Sequence, residues 1–157
     1  MANQGVRGFY QITETIKDEL LSNEFVNTGT TVDITDIDLA KQTISPLSHI
    51  IINQATVEEQ VIRFSISVLS MDIVEQSKEA TTDIFRGNNN EHDILNTQLA
   101  VVNKLVQTLR IGTLYRDKYQ LDGDPTCEPF YERFESQVAG WACTFDVLIE
   151  NDINVCS

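Results

Sequence analysis

Residues 91–111 read Glu91-His92-Asp93-Ile94-Leu95-Asn96-Thr97-Gln98-Leu99-Ala100-Val101-Val102-Asn103-Lys104-Leu105-Val106-Gln107-Thr108-Leu109-Arg110-Ile111. Leu95, Leu99, Val102, Val106 and Leu109 recur at spacings of 4, 3, 4 and 3, and Ile94, Val101 and Leu105 widen the stripe. That is the period of an amphipathic helix. Its ends agree. One of the asparagines in Gly87-Asn88-Asn89-Asn90 can cap it, and Asp93 lies where the helix dipole favours a negative charge. Lys104 and Arg110 fall towards the favourable C-terminal end, and Gly112 is placed to stop the helix.

What surrounds this helix has a different period. From Val61 to Val74, Ile62, Phe64, Ile66 and Val68 point one way and Arg63, Ser65 and Ser67 the other, as in a strand. The phase then slips, because Leu69, Met71 and Ile73 are apolar on the opposite face. A β-bulge near Val68-Leu69 is the simpler explanation. The other is a strand that turns its second face towards a neighbouring subunit. Downstream, Phe130 to Gln137 alternates with mixed faces, as on an edge strand, and Gly140 breaks the run. Trp141, Cys143, Phe145, Val147 and Ile149 then line one face of a strand, with Ala142, Thr144, Asp146 and Glu150 on the other.

Towards the N-terminus, Phe9, Ile12, Ile16 and Leu20 predict a first helix over Phe9 to Leu21, with residues 1–8 loose around Gly5 and Gly8. Thr28-Gly29-Thr30 reads as a turn between Phe25-Val26 and Val32-Asp33-Ile34. Leu47 to Asn53, after Pro46, reads as a strand, and Gln54 to Gln60 as a hairpin connection or continued extended chain. Leu114 to Leu121 is a candidate short strand, closed by the turn signal Asp122-Gly123-Asp124-Pro125. Helices separated by runs of strands argue for an α+β fold, a mainly antiparallel sheet packed against two helices, rather than βαβ units. The 157 residues suit a single domain, with a long polar loop over 75–90.

Composition narrows the function. The 41% apolar content is that of a globular chain, and a domain this long buries roughly 70% of its unfolded surface without help from metals. With 24 acidic against 11 basic side chains the net charge is −13, and no two Lys or Arg are adjacent. A phosphate-gripping basic patch is therefore not expected. The acidity serves solubility and keeps subunits apart, or it forms a surface that repels nucleic acid. Cys127, Cys143 and Cys156 are odd in number and show no C-x-x-C spacing, which points to a reducing compartment rather than a disulfide framework. No signal peptide or membrane-spanning run is expected.

Nothing in the chain spells catalysis. The phosphate-binding and nucleophile-elbow glycine motifs are missing. His49 and His92 cannot make a zinc helix motif; His49 reads as a partly buried structural side chain and His92 as a solvated first-turn residue. Asp33, Asp36 and Asp38 lack the glycine and distal glutamate of a calcium loop, and these carboxylates, like Asp122 and Asp124, suit turns and caps. Cys143 reads as a small core residue, and Cys127, beside Pro129 in a chain with no evident charge partner, gives no sign of activation. Trp141 reads as core packing, or else as an aromatic anchor at a subunit contact. No enzyme activity, cofactor or metal is expected.

The order of elements, helix 91–111 and the closing segment Val138-Ala139-Gly140-Trp141-Ala142-Cys143-Thr144-Phe145-Asp146-Val147-Leu148-Ile149-Glu150-Asn151, followed by Asp152-Ile153-Asn154-Val155-Cys156, resemble small neck and tail-terminator proteins of tailed bacteriophages, including those of the crAss-like group and other Bacteroidetes phages. The layout covers the whole chain, the residues only its last part. The resemblance implies a virion protein of the tail or neck, made in the host bacterial cytoplasm. It implies a homo-oligomeric ring of six or twelve subunits at the head–tail junction, joining the connector to the tail beside portal-side, neck or tail proteins. Genome DNA would pass through the lumen without specific binding. Such a ring is head-to-tail, so each subunit needs two different contact patches. Leu69, Met71 and Ile73 of the two-faced strand with Phe85 and Arg86 of the loop are candidates for one, and Tyr115 and Tyr119 for the other. An acidic monomeric or dimeric module, such as an inhibitor or DNA mimic, is the alternative.

Overall fold

The computed structural model describes residues 4–31, 46–74, 90–111, 119–133 and 138–150. The order is α1 (Gln4–Leu21), β1 (Thr28–Thr30), β2 (Leu47–Val57), β3 (Val61–Ile73), α2 (Glu91–Ile111), β4 (Gln120–Arg133) and β5 (Val138–Glu150). The strands form one sheet in the order β1-β2-β3-β5-β4, antiparallel throughout except for the short parallel pair β1 and β2. Both helices cover the same face. The α+β fold expected from the sequence is the fold found.

The core lies between that face and the helices. Ile62, Phe64, Ile66 and Val68 of β3 and Cys143, Phe145, Val147 and Ile149 of β5 meet Ile12, Ile16 and Leu20 of α1 and Val101, Val102, Leu105 and Leu109 of α2. Each such side chain removed from water contributes roughly 1.5–3 kcal/mol. α2 has the bounds that its periodicity predicts, and Asn90 takes the N-cap position, its carbonyl accepting the first helical hydrogen bond from Ile94. The buried stripe, however, is centred on Ile94, Gln98, Val101, Leu105 and Leu109, and Leu99 is exposed. The expected centre is rotated because a polar residue, Gln98, holds the position that leucine-counting passes over.

Several local expectations are overturned by pairing. α1 begins at Gln4, not Phe9, so residues 4–8 are helical rather than loose. Gly8 is buried against Ile149, Ile62 and Phe64, and its missing side chain is what lets the helix come this close. The inward row is thus Gly8-Ile12-Ile16-Leu20, and Phe9 is turned out, 55% exposed. Thr28-Gly29-Thr30 is a strand, not a turn, held by the Leu47-Ser48-His49 segment of β2. β2 continues to Val57, and the tight connection is Glu58 to Gln60. Asp122-Gly123-Asp124-Pro125 does not end a strand. It is a bulge inside β4, where the register jumps from Asp122 to Thr126 and Gly123 takes φ 73°. Gly140 does not break β5 but pairs with Met71 inside it.

The phase slip in β3 has a third cause. β3 runs in unbroken register against β5 from Val61 to Ile73, so it carries no bulge at Val68-Leu69; the irregularity in this part of the sheet is on β2, at Asn53. Apolar residues change face because the sheet has a second small core on its other side. There Leu47, Met71, Phe130 and Val138 are buried, with Leu69, Ile73 and Ala142 packed against them. Ser70 keeps the alternation on the helix side, fully buried beneath α2.

Candidate functional site

Two kinds of surface remain once the cores are assigned: sheet edges and exposed apolar side chains. Among the described residues, none pairs with the outer edge of β2 beyond His49. Asn53 to Val57 are exposed throughout, and Val57 is 74% exposed. This stretch contains no proline and no charged side chain, the usual devices that blunt an edge. Val57 pairs with Ile62, which Gly8 touches, so the exposed rings of Phe9 and Tyr10 stand near the same end of the sheet. Those rings meet edge to face at 6.2 Å. Leu21 and Phe25 are exposed at the other end of α1, where Leu21 lies against Gly29.

The opposite edge, β4, is built differently. The bulge at 123–125 interrupts it, and Pro125 and Pro129 remove two donors. Pro129 lies opposite Trp141. A residue without an N–H cannot exchange hydrogen bonds with its partner, so this is a non-hydrogen-bonded pair and the Pro129 nitrogen faces outwards. β4 therefore offers a broken edge.

The outer sheet face between them is polar in its half nearest the β2–β3 turn. Asn53 donates to Ser67 at 2.9 Å, and Ser67 meets Thr144 at 3.0 Å. Arg63 pairs with Asp122 and lies 3.7 Å from Glu58 and 3.9 Å from Asp146. Asp122 and Asp146 are directly opposite on β4 and β5, so Arg63 separates two like charges. On the helix side, Ser70 donates to Gln98 Oε1 at 2.6 Å and lies 3.4 Å from Ser48, while Gln98 Nε2 has no partner among the described residues. Trp141 Nε1 donates to the Leu95 carbonyl at 2.7 Å and ties β5 to the start of α2. Trp141 is half-buried, so this contact ties it to the chain's own α2 without placing it in the core.

The candidate contact residues fall as follows. Met71 is fully buried, and Leu69 and Ile73 are half-buried in the second core. Tyr119 is buried, with its hydroxyl 3.1 Å from Thr15. These four belong to the chain's own packing and form no exposed patch. Phe85, Arg86 and Tyr115 lie outside the described residues, as do Asp33, Asp36, Asp38 and Cys156. Sequence reading missed Phe9-Tyr10 and the open β2 edge. The signal was present: two adjacent aromatics on a helix cannot both face one core.

Among the described residues no three His, Cys, Asp or Glu side chains gather as a metal site, and no helix is long and apolar enough to cross a membrane. His49 is buried, its Nδ1 2.7 Å from Thr30. His92 is exposed in the first turn of α2. Cys127 and Cys143, distant in sequence, are brought side by side, their sulfurs 2.9 Å apart. A cavity of about 330 Å³ opens beside Cys127, between Leu99, Val102 and Val106 of α2 and Pro125 of β4. Compared with protein-family models and with curated protein sequences, the chain matches none.

Proposed function

We propose that this chain is a structural subunit that assembles with copies of itself and with neighbouring proteins into a ring at the head–tail junction of a tailed phage, and that it performs no catalysis. The assembly half is carried by the β2 edge, exposed from Asn53 to Val57 and without a strand partner there among the described residues, and by the exposed rings of Phe9 and Tyr10. An edge left unblunted in a chain that blunts its other edge is suited to receive a strand from a partner. The virion half is supported by the resemblance of residues 138–156 to phage neck and tail-terminator chains, and by an acidity that would line a passage without holding DNA.

Light scattering on the purified full chain over a range of concentrations, with electron microscopy of the particles and of virions, tests this reading. The expected result is a closed ring that Ala55→Lys and Val57→Asp reduce to monomers of unchanged circular dichroism. A chain that stays monomeric at every concentration, in virions that hold no such ring, overturns it. If that monomer also competes with DNA for a DNA-binding protein, the acidic-mimic reading takes its place.

A further inference from the structure

Cys127 and Cys143 face one another on adjacent antiparallel strands. They lie two positions along from Pro129 and Trp141, in unbroken register, so they too form a non-hydrogen-bonded pair. Such pairs hold their Cα atoms about 4.5 Å apart, inside the range a disulfide spans. The two thiols already touch, Cys127 donating to Cys143. Their surroundings differ. Cys143 is fully buried in the main core, whereas Cys127 is partly exposed on the wall of the cavity between α2 and β4.

We propose that Cys127 and Cys143 are an oxidisable dithiol that closes into an intramolecular cross-strand disulfide on meeting a hydroperoxide, with Cys127 as the attacking sulfur and Cys143 as the resolving one. The Cys127 thiolate attacks the terminal oxygen of the peroxide, the O–O bond breaks and a sulfenic acid forms; for hydrogen peroxide the leaving group departs as water. The Cys143 sulfur then attacks the sulfenic sulfur, and its proton leaves with the hydroxyl as a second water. Two thiols lose two electrons and two protons, and one peroxide becomes two waters. Burial first, and the contact with Cys127 second, push the Cys143 thiol above its ordinary range, and Cys127 is the sulfur that the cavity leaves open to a peroxide. The product staples the edge strand β4 to β5 behind the cavity. This inference stands apart from the assembly reading, since it uses neither the β2 edge nor the charge.

The test uses the full chain carrying Cys156→Ala, treated with hydrogen peroxide, quenched with an alkylating reagent and weighed intact without reductant. The expected product is a monomeric chain lighter by two hydrogens, with neither cysteine alkylated after unfolding and a single peptide pair linking the two positions. Its thermal midpoint rises, and dithiothreitol reverses the rise. With Cys143→Ala, Cys127 halts as a sulfenic acid trapped by dimedone. With Cys127→Ala, Cys143 stays a thiol. Two free thiols after peroxide treatment, or cross-links only between chains, overturn the proposal, and the parent chain gives that answer even if a variant fails to fold.

Discussion

At Gly140 the sheet leaves no room for a side chain. A methyl group there would overlap the Ser70 carbonyl oxygen and lie 2.8 Å from the Met71 Cα, both backbone atoms that cannot swing aside. Gly140→Ala is expected to lower stability by at least ~3 kcal/mol in urea unfolding, because the strands must part to admit it. One residue earlier on β3's helix side, Ser70 and Gln98 share a buried hydrogen bond while Gln98 Nε2 finds no partner among the described residues. Ser70→Ala strands the Gln98 amide at both ends and should cost about 1–3 kcal/mol. Adding Gln98→Leu removes the stranded group, so the double variant should recover most of that loss in the same measurement. A double variant less stable than Ser70→Ala alone would show that the amide is held by something else. These residues also mark where the sequence can be read and where it cannot. Gly140 and Gln98 look like interruptions in periodic runs, and both are consequences of what packs opposite them.

At the scale of elements, legibility follows the range of the determining interaction. α2 is legible in its bounds, since its cap and its period are local, while the centre of its stripe is not, and Gly112 lies outside the described residues. The alternation of β3 and β5 is legible for the same reason. Thr28-Gly29-Thr30 and Asp122-Gly123-Asp124-Pro125 are not, because turn chemistry and strand or bulge share the same residues and only distant partners choose between them. The Cys127–Cys143 pair and the second core are equally non-local. Cross-strand electrostatics give a test at this scale. Arg63→Met leaves Asp122 facing Asp146 across β4 and β5. The expected loss is roughly 1 kcal/mol at low ionic strength, shrinking in added salt. Asp122→Asn in the same background should restore stability. A loss that ignores both salt and Asp122→Asn would assign Arg63 a packing role instead.

For the whole molecule, the −13 charge opposes bringing copies together. If the chain assembles as proposed, assembly should therefore strengthen as sodium chloride rises from low to physiological concentration, where the screening length is about 8 Å. Analytical ultracentrifugation would register this as a shift towards the larger species; weakening with salt would mean that the contacts are ion pairs rather than strand and aromatic surface. The sequence conveys this charge fully, and it conveys the two-layer architecture. It does not convey which surface would meet a partner, because the residues with the most contact-like pattern, Leu69, Met71 and Ile73, pack in or against a core that folding creates.

The unequal edges of the sheet bear on how the protein fails as well as how it works. Growth of a cross-β ribbon needs every added molecule to offer a fresh edge for the next. Here an incoming strand can dock on β2, but the molecule it joins presents the proline-broken β4 on its far side. Open-ended growth by stacking β2 of one molecule on β4 of the next is therefore disfavoured. The broken β4 edge thus guards the folded chain against disordered polymerisation.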